Sequence, residues 1–512
     1  MISGATISRA TILRIMRTVF GVSLLLSAGA MFAETSQRAD VLPLTTKSAE
    51  VRRLVEKAWD LDLDQVQQEQ AIEVLRKAVK IDPNFAMGHE LLSQTSLDPA
   101  EQVREQQKAF ACRSHASAAE RSIIEWLQDA NDHKLIPAIT KMNDVLSRYP
   151  RDKWVVFLAN WWLTQQTQYE RAIAVFENSG LDSPGLMNNV AYTYAYTRQF
   201  EKSFALMDKY VAALPKDPNP QDSYAEILRM AGRFDQAIEH YRAALAIDPT
   251  FYSSQFGIAD TYSVMGDQAR ARREYEIGFR KFPLPELHRI QWRTREAITF
   301  VRGGDYAGAN RAFREIVVYA QAMHMSQPEA EAWRQMALYQ QHPKRALALL
   351  TKAQAAVEQG NNAMAAALQQ ELAQILRAGV EVEIDMGNKE MMASSLAHLA
   401  RMSRNSSDKI IDSAYHGAAG AVLFSDHKYA DAIAHLEEDT NNPFSLQLLA
   451  EAYQKTGDSS DAQRTTETLA NFNDPTVEQA LVVPAFRKCY QDPSCNTNFK
   501  GVSLRKSFPR TF

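Results

Sequence analysis

The densest group of metal-ligating side chains in this sequence is His416, His427 and His435, three of 11 histidines that are otherwise dispersed. His435 and Glu438 are three residues apart, so on a helix an imidazole and a carboxylate would share one face. A zinc site needs three or four ligands, and one such pair supplies two. The pair therefore reads as a solvated surface, and neither a metal nor a cofactor is expected. No phosphate-cradling glycine-rich loop occurs, and no H-E-x-x-H, G-x-S-x-G or C-x-x-C motif. With no constellation for acid–base, nucleophilic or metal chemistry, the chain is not expected to be an enzyme. The three cysteines are Cys112, Cys489 and Cys495. Cys112 follows Ala109-Phe110-Ala111 and reads as a small core residue. Cys489 and Cys495 flank an Asp492-Pro493 turn that would let their ends meet; in an oxidising compartment they would close a small disulfide loop, the alternative being two free thiols.

If chemistry is absent, the work of the chain lies in its elements, and these repeat. Pro215, Pro249 and Pro283 stand at intervals of 34 residues. Between them, Gly232, Phe234, Ala237, Tyr241 and Ala244 are followed by Tyr262, Gly266, Ala271, Tyr275 and Gly278, while Tyr194, Phe200, Ser203 and Met207 hold matching places one unit earlier. Small residues let two antiparallel helices approach, here Ala191 on Ser203 and Ala225 on Ala237. Glycines such as Gly232 and Gly266 end a first helix in a left-handed conformation, and each proline stops a second helix. Runs such as Ala237-Ile238-Tyr241-Leu245 carry the three-four apolar spacing of helices, whereas alternating β-branched runs and Asn-Gly turns are scarce.

The pattern resembles the tetratricopeptide repeat family, whose period is 34 residues with small residues at the helix crossing and a terminal proline. The likeness is clearest over 184–283. It extends more weakly to Ala71, Leu75, Ala78 and Pro83; to Tyr169, Ala172, Phe176 and Pro184; to Gly304, Tyr306, Ala309 and Phe313; to Gly420, Tyr429 and Ala432; and to Ala450, Tyr453, Gly457 and Ala462. The fold it implies is all-α, a right-handed superhelical solenoid of about a dozen antiparallel helix hairpins. Residues 34–323 are assigned to such repeats. Residues 324–410, rich in Ala and Gln and without the proline stops, are read as longer irregular hairpins of the same stack. Residues 411–475 form late repeats, and 476–512 form an extension with the cysteine loop and a basic tail.

In this family the first helices of the hairpins line a concave face, and ligands tend to lie there. The register places Asn188, Tyr192, Tyr196, Asp222, Glu226, Arg229, Phe256, Asp260 and Ser263 on it. The mixture of aromatic and acidic residues would suit an extended peptide bearing basic and apolar side chains. The family's carboxylate-clamp subgroup uses Lys and Asn at such places. Asn188 matches, but Asp222 and Glu226 have the wrong sign, so the clamp is not carried over. His427 falls where Gly232 and Gly266 stand in other units and is expected to end a helix. Trp154, Phe157 and Trp161 form one helical stripe expected in the core, leaving Trp162 to line a surface groove.

The 512 residues are 46% hydrophobic with a formal charge of −4 and scattered Lys and Arg, which makes nucleic acid an unexpected partner. Residues 16–33 combine Arg17, a short apolar run over Val19–Ala30 and an A-x-A site ending at Ala30, with Ala33 as a second stop. This reads as a secretory signal peptide over 1–33, with translation starting at Met1 or Met16. The run is short for a membrane span. Export into a bacterial periplasm follows as an expectation, with a retained membrane anchor as the alternative. The tail with Lys500, Arg505, Lys506, Pro509 and Arg510 reads as a flexible segment. The leading function is an exported, non-enzymatic scaffold binding protein or peptide partners in envelope assembly or secretion. The competing readings are a membrane-tethered spacer and, behind it, an enzyme with an unrecognised site.

Overall fold

The computed structural model describes residues 41–490 apart from 65–66, 133 and 361–364. Among the described residues there are 25 α-helices and no strand. They run as consecutive antiparallel pairs: α1 (Ala49–Trp59) with α2 (Gln68–Ile81), α3 (Ala86–Thr95) with α4 (Pro99–Cys112), α5 (Ala118–Asn131) with α6 (Leu135–Arg148), and α7 (Lys153–Gln165) with α8 (Tyr169–Ser179). The regular centre follows as α9 (Pro184–Tyr196) with α10 (Phe200–Ala213), α11 (Pro218–Met230) with α12 (Phe234–Ile247), and α13 (Tyr252–Met265) with α14 (Gln268–Lys281). Longer pairs come next: α15 (Glu286–Arg302) with α16 (Tyr306–Ala322), α17 (Ser326–Leu338) with α18 (Pro343–Glu358), and α19 (Ala365–Met386) with α20 (Lys389–Arg404). Last are α21 (Lys409–Ser425) with α22 (Tyr429–Leu436), α23 (Pro443–Thr456) with α24 (Ser459–Ala470), and a single closing helix, α25 (Val477–Tyr490). The fold is an all-α solenoid of helix hairpins, as the repeat predicts.

Local chemistry sets the boundaries. Helices α10, α12 and α14 stop two residues before Pro215, Pro249 and Pro283. Asp152, Asp217, Asp408 and Asn442 cap the starts of α7, α11, α21 and α23 by accepting from first-turn backbone N–H groups. Ser117 and Glu120 form a reciprocal capping box on α5. The turn inside a hairpin needs a left-handed residue, met by Gly232 (φ 79°) and Gly266 (φ 98°), and by His427 (φ 62°) where the sequence predicted a helix end. Thr167 and Arg198 take the same conformation in α7–α8 and α9–α10 without the ease of glycine.

Small residues bring the helices together. Ala191, Ser203, Ala225, Ala237, Ala259 and Ala271 are fully buried. The Ser203 hydroxyl donates to the Ala191 carbonyl at 2.7 Å across one crossing. Asn160 Nδ2 donates to the Ala172 carbonyl at 2.7 Å one unit earlier. Between hairpins the gaps are filled by rings, as where Phe256 lies 4.7 Å from Trp292 and 5.2 Å from Phe279.

The tryptophan assignment on α7 is corrected. Trp162 is buried, with its ring 5.7 Å edge-on to that of Trp126 on α5, and Trp161 is 39% exposed. Trp154 is in the core as expected, stacked 5.7 Å from Trp59. Helix α7 is covered on two sides, so its period alone did not say which tryptophan faced out. Cys112 is half-buried with a free thiol. The signal segment 1–33, the Cys489–Cys495 loop and the basic tail lie outside the described residues and side chains. Among the described residues no helix is long and apolar enough to cross a membrane.

Candidate binding groove

The first helices α9, α11 and α13 carry the sequence-predicted residues, and the structure divides them into two groups. One group meets. The Tyr192 hydroxyl donates to Glu226 Oε2 at 2.9 Å, and Arg229 Nη2 lies 2.9 Å from Glu226 Oε1. Tyr196 is 46% exposed, with its ring 6.4 Å from Tyr192 and 5.6 Å from Tyr169. Asp222 accepts from the Ser254 hydroxyl at 2.6 Å. Burial pushes its carboxyl up to about 7 against that bond. Asn188 Oδ1 is buried with no partner among the described residues.

The other group faces inward. Phe256 is fully buried in the aromatic layer. Asp260 is buried, accepts the Tyr275 hydroxyl and lies 3.9 Å from Arg295. Ser263 is buried, and its carbonyl accepts from Gln268 Nε2 at 2.9 Å.

The groove also carries an element that the repeat period does not predict. The segment Asn471–Thr476 and helix α25 fold back against the repeats. Arg229 Nη1 donates to the Asn473 carbonyl at 3.0 Å, and Asn473 Nδ2 returns a bond to the Met230 carbonyl at 3.0 Å. Arg295 Nη1 donates to the Pro475 carbonyl at 3.1 Å. The apolar face of α25, with Val477, Ala480, Val483 and Phe486, joins the core built by α15 to α18 and by Phe444 and Leu446 of α23. The chain's own strap thus covers part of the surface that the register assigns to a ligand. Arginine suits this role because its fork meets main-chain carbonyls without needing a particular side chain. The signals available in sequence were the loss of repeat spacing after Ala470 and the apolar run Leu481-Val482-Val483.

What stays open lies beside the strap. A polar cavity of about 420 Å³ is lined by Thr164, Tyr169 and Tyr196 from early hairpins, by Gln374, Lys409 and Asn441 from late ones, and by Asp474 of the strap. Tyr169 shares a hydrogen bond with Asn441 across it, and burial pushes the Tyr169 hydroxyl up. Asp474 is likewise pushed up by burial, with Arg229 opposing. Lys409 is held by Asp412 at 3.1 Å and Glu438 at 3.3 Å. The cavity thus offers two phenol rings and amides, with the carboxylates of Asp439 and Asp474 set against Arg377 and Lys409, and the half-exposed Glu226 lies near Tyr196 beside it.

The histidine group separates. His416 and His435 come within 4.9 Å ring to ring, whereas His427 turns to the Tyr429 hydroxyl at 2.9 Å. Helix α22 ends at Leu436, so Glu438 sits in a 3₁₀ turn and not on the helix of His435. Among the described residues no three His, Cys, Asp or Glu side chains converge as metal ligands.

Models of the tetratricopeptide repeat match residues 221–251 and 65–85. Solved structures similar to the chain include a tetratricopeptide repeat protein from Parabacteroides merdae, 16% identical, covering 52% of this chain and 92% of that one at a TM-score of 0.33. The APC/C hetero-tetramer Cut9-Hcn1 is 14% identical over 78% of this chain and 76% of that one, at 0.36. PilW, a type IV pilus biogenesis factor, is 15% identical over 47% and 96%, at 0.29. No curated protein matches the chain in sequence. The matched units coincide with α11–α12 and with α2, so these hairpins of the chain are tetratricopeptide repeats.

Proposed function

We propose that the protein is a non-enzymatic scaffold that takes an extended, basic segment of a protein partner through the polar cavity between its early and late hairpins. Tetratricopeptide repeats as a class support protein–protein interaction. The observation that carries the finer reading is the cavity lined by Tyr169, Tyr196 and Asp474. Its rings offer faces for a cation or an apolar side chain, and Glu226 beside Tyr196 adds the negative charge that favours a positive one. The Asn188, Tyr192, Asp222 and Glu226 surface continues beside it, whereas Phe256, Asp260 and Ser263 serve packing.

The test is site-specific photo-cross-linking in the native cell. A cross-linker at Tyr196 should capture a reproducible partner, and one at Val318, which is 65% exposed on α16, should not. Equal capture at both sites, or none at Tyr196, would sink the cavity reading. Glu226→Lys should abolish the Tyr196 capture by reversing the local sign.

We place this scaffold outside the cytoplasm, in a bacterial periplasm, on the strength of the leader-like residues 16–33 and the Cys489–Cys495 spacing. The mass of the mature N-terminus decides it. A start at Met31 or Glu34 fits an exported soluble protein. An intact Arg17 points instead to a tethered spacer.

A further inference from the structure

We propose that the cavity at the corner of α19, α20 and α21 binds a small amphipathic acid, with its carboxylate on Arg401 and its apolar body on Met402 and Ile411. This cavity measures about 520 Å³ and shares no lining residue with the polar cavity of the groove. Its size falls within the span of about 300–1,000 Å³ typical of small-molecule sites.

The corner is left open by the joint between two hairpins. Where α14 passes into α15, Phe282 and Leu284 are buried and fill the joint. Where α20 passes into α21, the joint is Asn405-Ser406-Ser407-Asp408, which has no apolar side chain to do the same. The start of α19 contributes only Ala366 and Gln369 to the lining. What remains is a concavity with Ile411 buried at its floor, Met402 half-buried beside it and Ala366 exposed at its rim. A methionine makes that wall adaptable to the shape of a guest.

The polar groups around the apolar floor are uncommitted. Among the described residues, the side chains of Gln369, His398, Arg401 and Asn405 have no hydrogen-bond or ion-pair partner. Asp408 is the carboxylate of the lining, and both its oxygens are engaged. Its Oδ1 accepts from the N–H groups of Ile410 and Ile411 at 2.8 and 3.2 Å, and its Oδ2 from Gln370 Nε2 at 2.7 Å. Its charge is further set against the positive end of α21, which it caps. The other charges on these segments leave no free acid. Lys409 pairs with Asp412 and Glu438, and Glu371 of α19 pairs with Arg334, whereas Arg404 is a second cation without a partner among the described residues.

A cationic guest would therefore meet Arg401 and find no carboxylate free to receive it. An uncharged apolar guest would leave the polar groups unused. A carboxylate matches the guanidinium fork with two oxygens. It can also accept from His398 or Asn405, which lie three residues before and four after Arg401 on the same side of α20. The apolar body of the same molecule then covers Met402 and Ile411, which no side chain of the joint reaches.

The test uses the full-length protein with naphthoate, a rigid acid small enough for the cavity, and naphthamide as its uncharged counterpart. Equilibrium dialysis of the wild type should give one saturable naphthoate per chain, with the amide weaker by about tenfold or more. R401Q keeps a polar tip and removes the charge, and it should bring naphthoate down to the level of the amide. A366F fills the cavity from an exposed helical position and should weaken both compounds. Circular dichroism checks that each variant is folded, and if A366F is not, R401Q still decides. The proposal is overturned if naphthoate forms no one-to-one complex or if acid and amide bind equally. It is also overturned if R401Q binds naphthoate as the wild type does, which would place the compound elsewhere on the chain.

Discussion

The hairpins of 184–283 and those of 365–490 solve the same packing problem by different means. In the first region the helix crossings are short in sequence and built from small residues. Ala225 meets Ala237, Ser203 bonds Ala191 twelve residues away, and Gly278 lets the Phe256 ring sit against the backbone of the next helix. In the second, buried ions join helices that are distant in the chain. Arg377 on α19 lies 2.7 Å from Asp439 and 3.5 Å from Glu381, and it donates to the Ser445 hydroxyl 68 residues on. Gly417 on α21 passes directly over this pair, where a Cβ would come within 2.4 Å of Asp439 Oδ2. Glu371 on α19 reaches back out of this region to Arg334 on α17 at 2.6 Å. A repeat built from small residues specifies its neighbour within one period. A stack joined by ions needs partners that only the folded chain brings together.

That contrast can be broken most sharply at Arg377. Arg377→Met leaves Asp439 buried without its cation and should cost about 3–5 kcal/mol, whereas Arg377→Met with Asp439→Leu should cost far less, because a buried pair is weakly stabilising on balance. All seven tryptophans lie at or before position 333. Urea unfolding followed by circular dichroism should therefore show the Arg377→Met loss as an early phase, and tryptophan emission should lag behind it. Coincident transitions would mean that the solenoid unfolds as one unit and that the two regions do not differ in this sense. Gly278→Ala makes the opposite lesion. Its Cβ would stand 2.7 Å from the Phe256 ring, so the ring must shift, at a cost of about 1–3 kcal/mol. Trp292, stacked on Phe256, should report it directly in emission while the late helices keep their ellipticity.

The same contrast explains what could be read in advance. Pro215, Pro249, Pro283, Gly232 and Gly266 mark boundaries through their own backbone chemistry, so the hairpins between them were legible without any tertiary knowledge. His427 was legible too, because its place in the period assigned it a turn that its residue type would not have suggested. The strap was not. Arg229 and Asn473 are 244 residues apart, and nothing local in either marks the other. Trp161 and Trp162 were exchanged because α7 is buried on two faces and a single periodicity cannot rank them. The groove residues were placed on their helices by register, but whether each faced solvent depended on the strap and on the next aromatic ring.

The groove and the helix crossing hold their polar groups on different terms. Asp222 has its pKa raised to about 7, so between about pH 4 and 7 the folded chain holds a proton that the unfolded chain has released. Its contribution is present at low pH and is lost as pH rises through 7. Asp222→Asn should remove that slope, leaving the mutant more stable than the wild type at pH 8 relative to pH 5 by about 1–2 kcal/mol, less than a fully buried acid would give because the groove is part-solvated. An unchanged slope in chemical denaturation across that range would show the carboxylate to be solvated.

Ser203→Ala should have the smallest effect and is the most specific to the repeat. The hydroxyl donates to the Ala191 carbonyl, which belongs to a helix in its own right. Removing the donor leaves an acceptor already served by its helix, so the loss should be about 1 kcal/mol or less, and the methyl that remains fits a crossing of the kind where Ala225 meets Ala237 without any such bond. The matching bond in the preceding unit comes from Asn160, a larger side chain that also accepts from Asn189 Nδ2 at 2.5 Å. Asn160→Ala leaves a gap as well as a lost bond and should cost about 2 kcal/mol or more. If urea midpoints rank the two variants the other way, the polar bond and not the small volume is what the crossing requires, and the repeat's preference for alanine there would need a different cause.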